Sequence, residues 1–229
     1  MKSRAILTAL TAAFVCVSAT TAQAETWSGF YVGLSAGFGG GGGDVRYVPP
    51  SAPAGPFEYS AFGAIYGGHV GFSWQRPSGW VFGVEGSMRY SKIDGFVGCN
   101  VGNNDRCEFG LDHLWMVNGR VGRTIGPERD ILVFATGGYA KAEIDMTRRV
   151  FPPAINLNPL SGTFDHAGYE AGVGVEFALD GHWSVGGEYQ FINLDDDASP
   201  AVRNDGASST HNNKPSPLSI LQARVSYTF

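Results

Sequence analysis

The sequence lacks three features that would place it in common fold and function classes. Beyond residue 17 it has no apolar run long enough for a membrane-spanning helix, which needs about 20 residues. It has 16 basic residues against 21 acidic ones, and this shortage of positive charge argues against nucleic acid as a partner. Leucine and lysine are scarce, while glycine (33 residues) and aromatic residues (13%) are abundant. A helical bundle is therefore disfavoured.

The first 24 residues are typical of a cleaved export signal. Two basic residues precede an apolar stretch over residues 5–17, which is too short to span a membrane as a helix. Small residues follow and end in Ala-Gln-Ala, a pattern that signal peptidase cleaves. We therefore expect a signal peptide over residues 1–24 and a single mature domain over residues 25–229. The mature chain then holds 14 basic and 21 acidic residues, a net charge of −7.

The mature chain alternates apolar and polar residues in eight segments. The clearest is the last, which has apolar residues at odd positions from Leu221, polar residues at even positions, and Phe229 at its end. Because successive side chains of a strand point to opposite faces, each segment has one face for lipid and one for a lumen. The pattern predicts an all-β, eight-stranded antiparallel transmembrane barrel of the outer-membrane type. The segments lie at about residues 29–38, 62–74, 80–91, 111–125, 131–146, 169–177, 183–191 and 221–229.

The fifth segment has the weakest alternation. Its charged residues all fall at odd positions, and a lumen-facing placement would group them inside. We therefore expect the even positions to face outward. The residues assigned outward are Leu132, Phe134, Ala140, Ala142 and Ile144, and those assigned inward are Lys141, Glu143 and Asp145.

The connections alternate in length along the chain. Three are short, at residues 75–79, 126–130 and 180–181, and four are long, at residues 39–61, 92–110, 147–162 and 195–216. Outer-membrane barrels have short periplasmic turns and long extracellular loops, so both termini are expected in the periplasm. A soluble sandwich, the alternative for a chain of short strands, does not explain why four of five tryptophans fall at one rim. The tryptophans predicted to form a periplasmic aromatic girdle are Trp27, Trp74, Trp80 and Trp183.

Charged residues recur on the predicted inward faces. An eight-stranded barrel has an interior just wide enough for its own side chains, and buried charges are tolerated only when paired. We therefore predict a plug of ion pairs and hydrogen bonds across the lumen. The core of this plug consists of Glu85, Arg120, Glu188 and Arg224, which lie at a similar height when residues are counted from the periplasmic end of each strand. The other predicted members are Arg89, Asn118, Glu170, Gln190 and Gln222. An ion or proton path through these residues remains the alternative.

Few other residues suggest a disulfide, a metal site or a catalytic site. Cys99 and Cys107 are the only cysteines after residue 24, and an exported chain meets an oxidising compartment, so a disulfide within the second long loop is expected. The five histidines form no metal-binding motif, and no nucleophile lies beside an evident base. We expect no cofactor, no metal and no enzyme activity.

Four short motifs resemble one known family. They are Trp27-Ser28-Gly29-Phe30-Tyr31-Val32-Gly33, Asn118-Gly119-Arg120-Val121-Gly122, Thr136-Gly137-Gly138-Tyr139-Ala140 and Val225-Ser226-Tyr227-Thr228-Phe229. Together they resemble the small outer-membrane proteins of alphaproteobacteria known as the Omp25/Omp31-like, or outer-membrane immunogenic, family. The resemblance implies an abundant surface protein that supports the envelope and meets host molecules or antibodies. Some relatives are described as porins and others as haemin binders, but this sequence shows no haemin-binding motif that matches those relatives residue by residue.

The function expected from the sequence is that of a structural and surface-interactive protein of the bacterial outer membrane. Its expected partners are outer-membrane lipid and lipopolysaccharide, host surface molecules at the extracellular loops, and the barrel-assembly machinery, which would read Tyr227 and Phe229 at the end of the chain. A narrow porin is the first alternative. A haemin receptor or a lipid A-modifying enzyme is the second.

Overall fold

The computed structural model describes residues 27–48, 57–98, 105–150, 160–203 and 208–229. These residues form nine β-strands. The strands are β1 (Gly29–Val48), β2 (Phe57–Gln75), β3 (Trp80–Gly98), β4 (Asp105–Ile125), β5 (Ile131–Val150), β6 (Leu160–Ala178), β7 (Trp183–Leu194), β8 (Asp197–Arg203) and β9 (Ser208–Thr228). Within these ranges, no helix is long and apolar enough to cross a membrane.

The nine strands form a closed antiparallel barrel of eight walls. Each of β1 to β6 pairs with the next strand, and β1 closes the sheet by pairing with β9 over most of its length. One wall is interrupted: β7 and β8 are separated by Asp195 and Asp196, and both pair with β6 on one side and β9 on the other. The prediction of an eight-stranded antiparallel barrel is confirmed.

The barrel has two unlike ends. The end at which β1 begins and β9 ends, and which carries the short turns 76–79, 126–130 and 179–182, is called the turn end. At the opposite end, the loop end, the strands reach much further than the alternation predicted. β1 continues to Val48 and β2 begins at Phe57, so most of the predicted loop over residues 39–61 is paired strand. The glycine run in that stretch has no side chains to alternate, but its backbone still pairs.

Two aromatic girdles mark the outer surface. The turn-end girdle consists of Trp74, Trp80 and Trp183, all exposed and facing outward. Ten residues along β3 separate Trp80 from Tyr90, a rise of about 25 Å for a tilted strand, which matches the apolar band of an outer-membrane barrel. The loop-end girdle, which the sequence did not suggest, consists of Tyr66, Tyr90, Trp115, Tyr139, Tyr169 and Tyr189.

The predicted orientation of the fifth segment is wrong. Its even positions face the lumen, where Leu132, Phe134 and Ala140 are buried, and Lys141 and Asp145 point outward. Two features decide this orientation. Phe134 lies beneath a buried guanidinium, and the outward charges sit beyond the loop-end girdle, where they meet water. Ala142 and Ile144 also face inward, and Glu143 is half-buried on the outer face.

Three layers fill the lumen from the turn end to the loop end. The first is a small apolar cluster of Trp27, Val81, Leu132 and Phe134. The second contains the buried charged side chains and their polar partners. The third is a larger apolar core, which includes Ile65, Ile93, Leu114, Met116, Ile192 and Ile220, with Tyr59, Phe109 and Phe164 above it.

Candidate functional site

The polar layer between the two apolar layers of the lumen is the candidate site, and it is called the lumen cluster. The side chains of the cluster lie at the alternate, inward-facing positions of each strand, and closure of the barrel brings the strands together. Its members are Tyr31, Glu85, Arg89, Asn118, Arg120, Thr136, Glu170, Glu176, Glu188, Gln190, Gln222 and Arg224. Every one of them is buried in the barrel interior.

Arg224 on β9 forms the centre of the lumen cluster. Its Nη2 lies 2.5 Å from Oε2 of Glu85, its Nη1 lies 2.6 Å from Oε2 of Glu188, and its Nε lies 3.2 Å from Oε1 of Glu176. These carboxylates come from β3, β7 and β6, so one guanidinium ties together four walls of the barrel. The contacts with Glu85 and Glu188 are charge-assisted hydrogen bonds, which are short and strong, and the contact with Glu176 is an ion pair.

The contact between Arg224 and Glu85 crosses the lumen. β3 and β9 are separated by β1 and β2 in the sheet, so this pair cannot form along one face of neighbouring strands. The hydroxyl of Tyr31 also donates a hydrogen bond to Glu85, at 2.9 Å. The interior is therefore spanned by direct contacts at this level.

Arg120 completes the charged part of the lumen cluster, and its partner is Glu176 and not Glu85 on the neighbouring strand. Its Nη2 lies 2.8 Å from Oε2 of Glu176, while Glu85 contacts Arg224. The Arg120 guanidinium also lies 3.7 Å from the ring centroid of Phe134, which is 5.8 Å from the guanidinium of Arg224. Phe134 thus packs against two cations by cation–π contact and separates the charges from the apolar layer at the turn end.

Gln190 links the remaining members. It accepts a hydrogen bond from Arg89 Nη1, and its own Nε2 donates to Glu170 at 3.1 Å and to Glu188 at 3.2 Å. Thr136 donates to Glu170 at 2.7 Å, and Gln222 donates to Glu188 at 2.8 Å. The amide group therefore connects a cation to two carboxylates inside the barrel.

Glycines on neighbouring strands make room for these large side chains. A Cβ built on Gly172 would lie 2.6 Å from Oγ1 of Thr136 and 3.0 Å from both Cγ of Gln190 and Oε1 of Glu170. A Cβ on Gly71 would lie 2.4 Å from the Tyr31 ring. Glycine at these two positions therefore has a steric cause in the lumen.

Trp27 is not part of the outer girdle, so that prediction is wrong for this residue. Its side chain is only 6% exposed, and its Nε1 donates a hydrogen bond to the backbone oxygen of Arg129 at 3.0 Å. Trp27 precedes β1, where strand parity no longer applies, and it folds into the barrel mouth. It packs with Val81, Leu132 and Phe134 and closes the lumen at the turn end.

A small cavity lies in the loop-end half of the lumen. Its volume is about 40 Å³, and apolar side chains line most of it, among them Ile93, Leu111, Ile144 and Leu218. At this size the cavity takes little more than a water molecule or two.

The remaining predicted residues lie away from the lumen cluster. Cys107 is on β4 and buried beside Phe109, not in a loop; Cys99 lies outside the described residues, so the disulfide stays a prediction. At the end of the chain, the backbone N–H of Phe229 donates to the oxygen of Phe30 at 2.9 Å, and the ring of Tyr227 contacts that of Phe229 at 5.1 Å.

Sequence reasoning missed three residues of the lumen cluster, Tyr31, Thr136 and Glu176, and it misplaced Phe134, which packs against the cluster. Glu176 and Tyr31 have inward parity in the sequence, which is the signal that could have placed them in the plug. The inward positions of Thr136 and Phe134 are not predicted because the sequence assigns the even positions of the fifth segment to the outer face. No sequence signal identifies Arg224, among the inward cations, as the residue that contacts three carboxylates.

The chain is similar to known outer-membrane proteins in sequence. The family model described as "Outer membrane protein beta-barrel domain" matches residues 9–229. The 31 kDa outer-membrane immunogenic protein of Brucella melitensis is 28% identical over 187 residues, which cover 76% of this chain and 75% of the relative. The protein of the same name from Brucella suis gives the same values.

Two solved structures show the same fold. The outer membrane protein OprG from Pseudomonas aeruginosa has a TM-score of 0.54 and 11% identity, with 89% of this chain and 97% of that chain covered. The outer membrane protease OmpT from Escherichia coli has a TM-score of 0.53 and 9% identity, with 92% and 99% covered. At such identities the likeness concerns the barrel alone.

Proposed function

The chain belongs to the outer membrane protein β-barrel domain family, and from this membership and the lumen geometry we propose that it is a closed, non-conducting barrel. Its role is to support the bacterial outer membrane and to present a surface for interaction at the loop end. We assign it no enzyme activity and no cofactor. Residues 1–24 act as its export signal, and the C-terminal aromatic residues Tyr227 and Phe229 are read by the assembly machinery.

The observation that carries the proposal is the lumen cluster. Direct contacts run from Glu85 through Arg224 to Glu188 across the barrel, and the apolar layer containing Trp27 lies beneath them. A permeant ion would have to separate buried charge pairs, and breaking one such pair costs about 3–5 kcal/mol. For this reason we propose a sealed lumen and not the conducting lumen of a narrow porin.

The part of the barrel beyond the loop-end girdle supports a role in surface interaction. The strands continue for several residues past Tyr90 and Trp115, so paired walls stand above the apolar band. Their outer face carries both charge and exposed aromatic surface. Phe96 is 62% exposed, and the guanidinium of Arg106 lies 3.8 Å from its ring centroid. Exposed aromatic and arginine side chains are typical anchors in protein interfaces.

A bilayer recording tests the sealed lumen. We expect the refolded mature protein to give no conductance steps in a planar bilayer, with folding verified by heat-modifiable gel mobility. The double variant Glu85→Ala with Arg224→Ala removes the cross-lumen contact and should produce openings. Lys92→Ala, on the outer face, serves as the matched control. Reproducible steps in the unmodified protein, altered by neutralising Arg120 or Arg224, would replace the proposal with the narrow porin.

A cell-based measurement tests the envelope and surface roles. A strain that lacks the protein should become more sensitive to detergent, and the unmodified protein should restore resistance. Antibodies against the extended walls should label intact cells. Unchanged detergent sensitivity, or labelling only after permeabilisation, would contradict the proposed role.

A further inference from the structure

Three metal-ligating side chains meet on the outer face of the barrel, just beyond the loop-end girdle. They are Asp112 and His113 on β4 and Glu143 on β5, and one ligand atom from each lies within 4.8 Å of the others. None of them belongs to the lumen cluster. We propose that these three residues form a binding site for a divalent transition-metal ion of the zinc class.

A β-bulge in β4 creates this arrangement. The register of β4 against β5 shifts between Leu111 and His113, so that Asp112 is an extra residue on this side of the strand. The pairing of β4 with β3 is also irregular at this level, where the register shifts between Tyr90 and Ile93 of β3. Adjacent residues of a regular strand face opposite sides, but here Leu111 and Leu114 are buried inside while Asp112 and His113 both face outward. Bulges commonly re-aim side chains next to functional sites.

Strand pairing brings in the third ligand. Glu143 is the direct cross-strand partner of His113. The Nδ1 atom of His113 lies 3.0 Å from Oδ2 of Asp112, and the ring of His113 contacts the edge of Tyr90 at 4.9 Å, which restrains the imidazole. A tetrahedral zinc site places its ligand atoms about 3.4 Å apart. A small rotation of the exposed Asp112 side chain and of Glu143 would reach that geometry.

The charge around the site favours a cation. Within the described part of the chain, neither Asp112 nor Glu143 has a lysine or arginine partner in an ion pair. The nearby Lys141 pairs with Asp165 at 3.4 Å. Two carboxylates therefore meet one imidazole without compensation by a basic side chain. One nitrogen and two oxygen ligands suit zinc, nickel or copper better than calcium, which prefers oxygen alone.

A titration with Zn²⁺ alone tests the site in the folded mature protein after chelator treatment. Calorimetry in a zwitterionic detergent should show one Zn²⁺ bound per chain, and His113→Gln should weaken binding at least ~10-fold, the loss that even an outer-shell partner produces. Glu143→Gln and Asp112→Asn should weaken it as well. Asp165→Asn and His182→Gln are the matched controls, and both should retain the unmodified affinity. Gel mobility must show that each variant is folded.

A second readout reports on the ligands directly. Co²⁺ bound in place of Zn²⁺ should give visible absorption bands that change in His113→Gln and not in Asp165→Asn. The absence of Zn²⁺ binding would overturn the proposal. So would equal weakening by Asp165→Asn and His113→Gln, which would mean diffuse attraction to surface carboxylates. Equal affinity for Ca²⁺ and Zn²⁺ would also overturn it, since it would show a site that does not use the imidazole.

Discussion

The two halves of the lumen fill the same cylindrical space with opposite chemistry. In the turn-end half, the lumen cluster holds the walls together by directional contacts between charged and polar groups. In the loop-end half, Ile65, Leu114, Ile192 and Ile220 pack without polar contacts. Directional contacts specify which walls meet and at what height, whereas apolar packing tolerates changes of partner as long as volume is conserved. The polar half therefore defines the register of the barrel, and the apolar half adds stability to it.

Removal of Arg224 should have the largest effect, because it leaves three carboxylates buried without their shared cation. We expect Arg224→Met to lower the free energy of unfolding by about 3–5 kcal/mol. Urea unfolding in detergent micelles, followed by tryptophan fluorescence, would measure the change. Lys214→Met, an exposed cation on the same strand, is the control and should have little effect. Equal stability of Arg224→Met and the unmodified protein would mean that the charges do not hold the walls together.

A cavity in the apolar half should have the next largest effect. Ile220 is fully buried in the loop-end core, and Ile220→Ala should cost about 2–5 kcal/mol by loss of packing. The neighbouring Leu221 faces outward and is 66% exposed. Leu221→Ala should cost less, because lipid or detergent fills the space that the shorter side chain leaves. Unfolding in the same micelles compares the two, and a larger loss at Leu221 would contradict the assigned faces.

A methyl group added beneath the lumen cluster should have a smaller effect. Gly172→Ala places a Cβ against Thr136, Gln190 and Glu170, and overpacking of this kind costs about 1–3 kcal/mol. Gly86→Ala is the matched control, since a Cβ there meets no atom within 4 Å. Both variants would be unfolded in urea under identical conditions. A loss confined to Gly172→Ala is expected; equal losses would show that glycine matters for backbone reasons alone.

The smallest effect is expected outside the lumen, at the turn between β6 and β7. Asp180 Oδ1 accepts hydrogen bonds from the backbone N–H groups of Trp183 and His182, both at 2.7 Å, and these lower the pKa of the Asp180 carboxyl. A lowered pKa in the folded state means that the stabilisation is present above the unfolded-state pKa and is lost as the pH falls through the lowered value.

Asp180→Ala should therefore reduce stability slightly at neutral pH and not at all at strongly acidic pH. Thermal unfolding of both proteins across this pH range would measure the difference. A difference that persists when the carboxyl is protonated would exclude the hydrogen-bonded charge as its source.

Much of the fold could be predicted because a strand obeys a period of two. The alternation in the last segment placed Arg224 and Gln222 inward, and the structure has both in the lumen. The fifth segment failed because glycine and alanine occupy both of its faces in the middle, so the charged positions near Lys141 dominated the assignment. Those charges lie beyond the apolar band, where an outward carboxylate is not costly.

The sequence predicts most members of the lumen cluster but not the contacts between them. The odd or even position of a residue in a strand shows whether a glutamate or arginine points into the lumen. It does not tell which residue across the lumen that side chain meets. In the structure Glu85 contacts Arg224, whereas Arg120 contacts Glu176. The position of Trp27 was equally out of reach, because it precedes the first strand and has no parity.

The sequence by itself determined the strand number, the faces of most strands and the family, because each follows from local alternation or from short motifs. Only the tertiary structure decided that Arg224 joins four walls, that Trp27 closes the barrel mouth and that a bulge aligns Asp112 with His113. These features depend on how distant strands are staggered when the sheet closes on itself. Closure is a property of the whole ring of hydrogen bonds and is not encoded in any single strand.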